Sequence, residues 1–363
     1  MKVVFDYQVF SSQIRGGVSN YFVELIKGFH NKDIELIFPF NLTITKTLLE
    51  WNSRDFIDLN KYLPNKGKGQ ITTFLNSLTA KKNLRRRSFD LLHPTYYNPY
   101  FLNCIKNKPF VITVHDMTHE LFPSLLSDYK IVQKNKRLLV KLAEHIIVPS
   151  ENTKKDLCDI LGTNKEKISV INHGTSLNTT ETQQPKLDIL QNFWLYVGDR
   201  SGYKNSRILF EAFAERNVTN EYLVFVGGGK FNITEIEYIN KNNLNYRCFQ
   251  ISPNIKELAW LYQKAKALIY PSHYEGFGFP LIEAMSCGCP VIASNASCLP
   301  EIGGDSAFYF DPNSVSDLLS SMKFFDNEKN CSIYSEKGYL RAKKFTWDSA
   351  VDKTLKVYND IIK

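Results

Sequence analysis

The segment His273–Ser294, HYEGFGFPLIEAMSCGCPVIAS, concentrates much of the chemistry of this chain. Glu275 and Glu283 stand with seven residues between them, around a loop made by Gly276 and Gly278. Pro271 and Ser272 close an apolar strand before the loop, and Pro280 sits where a first helical residue belongs. Glycines let backbone N–H groups come close to a ligand, and a helix start adds partial positive charge, so the turn suits an anionic, hydroxyl-rich molecule. Each carboxylate can accept hydrogen bonds from adjacent sugar hydroxyls. The alternative is acids decorating a helix start, worth about 0.3–1 kcal/mol each through the dipole. Glu283 lies too near the apolar face for that alone. Upstream, LYVGDRSGYKN (Leu195–Asn205) ends another strand in glycines and carries Arg200 and Lys204 in its loop. Two cations beside exposed backbone donors make a diphosphate clamp, Arg with forked hydrogen bonds and Lys as a point charge. Solvated surface charges are the alternative, since both types are common in loops.

Other chemistries find less support. No Asp-x-Asp triplet occurs, which removes the usual carboxylate clamp for a nucleotide-bound metal. Cys287-Gly-Cys289 lacks the further ligands of a tetrahedral site and reads as small packed residues. Gly227, Gly228 and Gly229 follow a strand without completing Gly-x-Gly-x-x-Gly, so a nicotinamide site is weakly signalled. The seven cysteines are scattered and include no Cys-x-x-Cys pair, which fits a reducing cytosol. Asp6 interrupts what a signal peptide needs, and no window approaches the roughly 18 apolar residues of a membrane span.

These loops need strands and helices to hold them. Apolar strands are predicted at Lys2–Phe5, Ile34–Phe38, Asp90–His93, Phe110–His115 and His145–Pro149. A second series comes at Phe193–Gly198, Glu221–Gly227, Lys266–Pro271 and Pro290–Ser294. Helical stretches lie between several of them, as with Val18, Tyr21, Phe22, Leu25 and Phe29 after the turn at Gly16 and Gly17. Such alternation implies an α/β protein with two open, parallel-sheet lobes. The expected division is an N-terminal domain over 1–178, a polar linker over 179–192, and a C-terminal domain over 193–346. A closing amphipathic helix over 347–363, with Val351, Leu355, Tyr358 and Ile362 on one face, is expected to pack back on the first domain.

Taken together, the two loops resemble those of the retaining glycosyltransferases of family 4. Those enzymes have the GT-B fold, two Rossmann-like lobes facing across a cleft, and take sugar from a nucleotide sugar. The resemblance runs nearly the whole chain. The family's two glutamates fall on Glu275 and Glu283, its Arg and Lys diphosphate pair on Arg200 and Lys204, its N-terminal glycine loop on Gly16 and Gly17, and its strand-end histidine on His115. It implies that Glu283 holds the ribose hydroxyls and Glu275 the transferred sugar, with Gly276, Phe277 and Gly278 offering N–H groups beneath it. Arg200 and Lys204 then stabilise the departing diphosphate, where negative charge develops. His115 contacts the sugar or leaving phosphate, and Asp116 orients its loop or caps the segment after it. VHDMTHELFP, VGDRSGYKN and SCLPEIGGDSAFYFDP are similar to mannosyltransferase-like members that build bacterial surface polysaccharides. The implied donor is GDP-mannose, with dTDP-rhamnose or a UDP-sugar as alternatives. No cofactor or metal is implied, and the acceptor is a glycan or lipid-linked glycan. A non-hydrolysing sugar-nucleotide epimerase would share the fold.

Charge and surface pattern bear on partners. Residues 1–180 hold 25 Lys plus Arg against 16 Asp plus Glu, and the remainder 20 against 21, so the excess lies in the front half. One lobe therefore suits an anionic surface. Ile71, Phe74, Leu75 and Leu78 form one helical face, succeeded by Lys81, Lys82, Arg85, Arg86 and Arg87. Segment 71–87 either rests on anionic lipid or is a core helix with a solvated end. A cytoplasmic protein, peripheral on the inner membrane face, is the corresponding expectation. His93, Tyr96 and Tyr97 lie at and after a strand end and are candidates to stack on acceptor sugar, or are ordinary packing. Nucleic-acid binding lacks the aromatic or groove-reading elements it needs.

Overall fold

The computed structural model describes residues 1–32, 34–64, 66–177, 179–186, 192–200, 202–216 and 218–363. The chain forms two compact units, Met1–Gly174 with Trp347–Lys363, and Thr175–Thr346. The boundary falls at 174/175, a few residues before the expected 178/179. Residues 179–186 are tied to the second unit: Gln183 N–H donates to the Lys256 carbonyl at 3.2 Å, and the Gln263 amide donates to the Thr179 carbonyl at 2.8 Å. The rest of the expected linker, 187–191, lies outside the described residues.

In the first unit, β1 (Lys2–Phe5), β2 (Glu35–Ile37) and β3 (Leu91–His93) form a parallel sheet in the order β2-β1-β3. A second parallel sheet has the order β4 (Val111–Thr113), β5 (His145–Val148), β6 (Ile168–Val170), and a parallel bridge from Leu92 to Phe110 joins the two. Helices cover such sheets on both faces, so the strands read as unbroken apolar runs, and Val3, Val4, Leu91, Val111, Ile112, Ile146 and Ile147 are fully buried. Helix α1 (Gly17–His30) buries Tyr21, Phe22, Leu25 and Phe29. Helices α2 (Lys68–Arg86) and α3 (Tyr129–Leu142) complete the elements used below.

The second unit is a six-stranded parallel sheet of β7 (Phe193–Val197), β8 (Tyr222–Val226), β9 (Cys248–Ile251), β10 (Ala267–Tyr270), β11 (Val291–Ser294) and β12 (Phe308–Phe310). Its order is β9-β8-β7-β10-β11-β12. The chain runs outward from β7 through β8 to β9, then returns to the other side of β7. Open α/β sheets bind ligands outside the carboxyl ends of the strands at such a switch point. Here the flanking segments are the β7 loop, Gly198–Lys204, and the β10 loop, Pro271–Gly278. Helices α4 (Ile233–Lys241), α5 (Ile255–Lys264) and α6 (Phe279–Ser286) belong to this unit.

Helix α7 (Trp347–Ile362) belongs to the first unit. It lies so close to α1 that a Cβ on Gly28 would stand 2.3 Å from Val351 Cγ2. Five strands were not foreseen: β6, β9 and β12, each a sheet edge, and the two-residue strands Leu42–Thr43 and Ile57–Asp58, which pair in parallel with each other. Among the described residues no helix is long and apolar enough to cross a membrane.

Candidate active site

Lys204 and Glu275 meet at the switch point. Lys204 Nζ lies 2.7 and 2.8 Å from the two carboxylate oxygens, with the side chains 17% and 9% exposed. Ser272 Oγ donates to Glu275 Oε1 at 2.7 Å. The backbone of Glu275 is held as well, its N–H donating to Ser297 Oγ at 2.9 Å and its carbonyl accepting from Cys298 Sγ at 3.1 Å. His273 N–H donates to the Tyr203 carbonyl at 2.8 Å, stitching the β7 and β10 loops together. A carboxylate offers about four acceptor sites, and Lys204 and Ser272 occupy three of those on Glu275.

The β10 loop enters α6 through Gly278, whose φ of 86° is left-handed. A Cβ there would also stand 2.9 Å from Leu299 Cδ2, so glycine is required twice over. Gly276, Phe277 and Gly278 are buried around the start of the helix. Glu283 comes later on α6, partly buried, its Oε2 accepting from Tyr262 OH at 3.0 Å. Burial pushes its carboxyl above the usual range, and the Tyr262 hydroxyl pulls the other way.

The expected Arg200–Lys204 pair is not what the geometry assembles. Arg200 Nε and Nη2 donate to the two oxygens of Glu235 at 2.7 and 3.2 Å, Nη1 to the Gly227 carbonyl at 2.7 Å, and Nη2 to the Lys230 carbonyl at 2.9 Å. Of five guanidinium N–H groups, one on Nη1 is left without a partner among the described residues. The reason is local. Gly227, Gly228 and Gly229 all have left-handed backbones (φ 91°, 67° and 70°), and a Cβ on Gly228 would stand 2.7 Å from Arg200 Nη1. Glu235 also closes the capping box of α4 with Asn232, so its carboxylate is already oriented. Arg200 staples the loop after β8 to the loop after β7.

The other expected residues lie in the first unit. His115 lies just past β4, its N–H donating to Tyr97 OH at 3.3 Å and its ring edge-on to Tyr21 and Phe22. Burial lowers the imidazole to about 4 and Lys136 acts in the same direction, while Asp116 opposes them, so the ring is neutral. His115 Nε2 is buried without a hydrogen-bond partner among the described residues. Burial raises the Asp116 carboxyl, but Lys136, the Thr118 N–H and the neighbouring histidines outweigh it and hold it below the usual range. Lys136 is wholly buried on α3, donating to Glu120 Oε2 at 2.7 Å and to the Asp116 carbonyl at 3.1 Å.

His93 does not offer a stacking face. It is fully buried, Nδ1 meeting Tyr358 OH at 2.5 Å and Nε2 meeting Thr113 Oγ1 at 2.9 Å, and burial drives its ring down to about 3. Tyr97 is likewise buried, its ring under the Lys136 ammonium, and Tyr96 alone of the three keeps partial exposure. Gly16 precedes α1 in extended backbone and Gly17 opens the helix. A Cβ on Gly16 would stand 2.5 Å from Gln13 Oε1, which accepts from Ser19 N–H at 3.1 Å.

Sequence reasoning missed Ser272, Ser297, Tyr262, Glu235 and Lys136. Lys136 carried a signal, since it occupies the stripe of Val132, Leu139 and Val140 where a buried helix face asks for an apolar residue.

Both halves of the chain resemble known proteins. Residues 15–179 match the sequence profile Glycosyltransferase Family 4, and residues 179–341 match Glycosyl transferases group 1. O-antigen chain mannosyltransferase B of Escherichia coli is 24% identical, the match covering 99% of each chain. O-antigen chain mannosyltransferase RfbU of Salmonella typhimurium is 28% identical over 58% of this chain and 59% of its own. Among solved structures, sucrose-phosphate synthase from Thermosynechococcus elongatus superposes with a TM-score of 0.77 at 17% identity, covering 99% of this chain and 98% of that one. Anabaena Alr3699/HepE, solved in complex with UDP and glucose, gives 0.74 at 20% identity, covering 99% and 100%. With two Rossmann-like parallel-sheet units, the paired glutamates on the β10 loop and α6, and both profiles matched in series, the chain belongs to the family 4-type glycosyltransferases of the GT-B fold.

Proposed function

We propose that this glycosyltransferase moves a hexose from GDP-mannose, with retention and without a metal, to a glycan or lipid-linked glycan in surface-polysaccharide synthesis. The observation that carries the reading is the Lys204–Glu275 pair at the switch point of the second unit. Lys204 supplies the charge that meets the leaving diphosphate, Glu275 accepts from hydroxyls of the transferred sugar, and Glu283 accepts from the ribose. The N–H groups of Gly276–Gly278 lie beneath the sugar. Preorganised positive charge where negative charge develops lowers the barrier. The acceptor oxygen attacks C1 on the leaving-group face, the C1–O bond to the diphosphate breaks, and the acceptor proton passes to a diphosphate oxygen. Neutral His115 is suited to hydrogen-bonding the sugar or the phosphate. The mannose assignment draws on relatives named as mannosyltransferases; the UDP complexes of HepE favour a UDP-sugar as the second reading, with dTDP-rhamnose behind it.

Calorimetry with GDP, UDP and dTDP, and then product analysis of each nucleotide sugar with and without a glycan acceptor, tests this. Expected are GDP binding unaffected by EDTA and transfer only when acceptor is present. No guanine-nucleotide binding rejects the donor, epimerised donor without acceptor rejects transfer, and activity lost to EDTA and restored by Mn²⁺ rejects metal independence.

We also read segment 71–87 as a contact for an anionic membrane. Helix α2 turns its polar stripe inward: Lys68, Thr72 and Asn76 are buried, with Asn76 Nδ2 donating to Ser11 Oγ and the Leu42 carbonyl. Its apolar residues Phe74 and Leu78 are 63% and 57% exposed. The helix packs on the core through that stripe with Ala80 and Leu84, and the exposed apolar face beside five cations and no acid supports the membrane reading.

A further inference from the structure

Glu283 is anchored by one oxygen only. Oε2 accepts from Tyr262 OH at 3.0 Å, whereas Oε1 has no donor among the described residues. Tyr262 itself cannot wander. It is fully buried on α5 within the cluster that includes Leu261, Leu281, Ile282 and Met285, so its ring is fixed by packing and its hydroxyl marks a set point. A glutamate on a helix has three side-chain torsions to settle, and a donor fixed at one oxygen settles them together. The same hydroxyl counteracts the rise in the Glu283 carboxyl caused by burial, favouring the ionised acceptor. Cys287 and Cys289, the thiols near this pair, are pushed upward by burial and stay neutral.

Resting on the reading of Glu283 as the ribose carboxylate, we infer that Tyr262 is its positioning residue: the buried hydroxyl aims Oε1 at the ribose and so lets the site distinguish ribonucleotides from 2′-deoxyribonucleotides. Tyr262 touches no substrate. It acts through Glu283 alone.

Tyr262→Phe keeps the ring and deletes one oxygen. Calorimetry of wild type, Tyr262→Phe and Glu283→Gln with GDP, UDP and their 2′-deoxy counterparts reads the preference directly. Wild type should favour the ribonucleotide by about tenfold, the scale of a hydrogen bond to a charged group, and Glu283→Gln should abolish the preference. In Tyr262→Phe it should shrink to about threefold or less. A purely structural role would lower the thermal midpoint and leave the ratio alone. Full ribose preference in Tyr262→Phe, whatever its midpoint, overturns the inference when Glu283→Gln has lost it. Full preference in Glu283→Gln instead rejects the ribose reading of Glu283 on which the inference stands.

Discussion

Lys204 and Arg200 stand four residues apart on one loop, yet their removal leaves different things behind. Lys204→Gln can still donate to Glu275 but carries no charge, so turnover should fall roughly ten- to a thousandfold while the fold persists. Arg200→Ala leaves the Glu235 carboxylate with only the Asn232 N–H, and takes the guanidinium donor from the Gly227 and Lys230 carbonyls. It should cost roughly 2–4 kcal/mol of stability, seen as a lower urea midpoint, before any effect on chemistry. A wild-type midpoint for Arg200→Ala with a thousandfold loss of turnover would return Arg200 to the diphosphate. Residue types and spacing were enough to single out Glu275, Glu283 and Lys204, because a glycine turn between a strand and a helix is a local pattern. They did not reveal where Arg200 points, since its carboxylate partner lies 35 residues away and the loop between them is shaped by three left-handed glycines.

At the level of single elements, α2 gives the sharpest test. Phe74→Glu with Leu78→Glu places charges on an already exposed face, so the fold and transfer to a soluble acceptor should survive. Flotation with vesicles rich in anionic lipid should fall at least tenfold, and salt should weaken wild-type binding, because the cations near the helix end each add about 1 kcal/mol at such a surface. Failure of the wild type to float with these vesicles rejects the membrane contact. Periodicity revealed the apolar face of α2 but not its direction, which is decided by polar partners elsewhere, Ser11, Leu42 and Asn60. The unforeseen edge strands share another cause. Strands β6, β9 and β12 have three or four residues and a neighbour on one side only, so their sequences need not be apolar throughout. The alternation of strands and helices, by contrast, was legible because interior parallel strands must be apolar on both faces.

Over the whole molecule, acid should loosen the two units in different pH windows. The first unit holds His93, His115 and His173 neutral, all three lowered chiefly by burial, to about 3 and about 4 for the first two. A depressed histidine favours folding above its unfolded value near 6.5 and loses that contribution as pH falls below it. Each adds up to about 1.4 kcal/mol per pH unit between that value and its folded one. In the second unit, burial alone would raise Glu221, but Arg216, Lys266 and Trp194 hold it down to about 2. Its contribution is complete above about 4.5 and drains only between there and about 2. Hydrogen exchange at pH 7 and pH 5, corrected for intrinsic rates, should therefore show protection lost first in residues 1–174 and 347–362. Equal loss in both units would contradict the assignment of neutral, buried rings.

The return of α7 to the first unit also sets an order of events at the ribosome. The second unit is an insertion, and all of its residues leave the exit tunnel before Val351 and Tyr358 do. Until then the groove over Gly28 lies open and His93 Nδ1 has no hydroxyl to meet, so the nascent first unit waits, incompletely closed, while the later-made unit finishes. A nascent chain stalled just before α7 should bind chaperones through α1, and should release them when the last helix emerges.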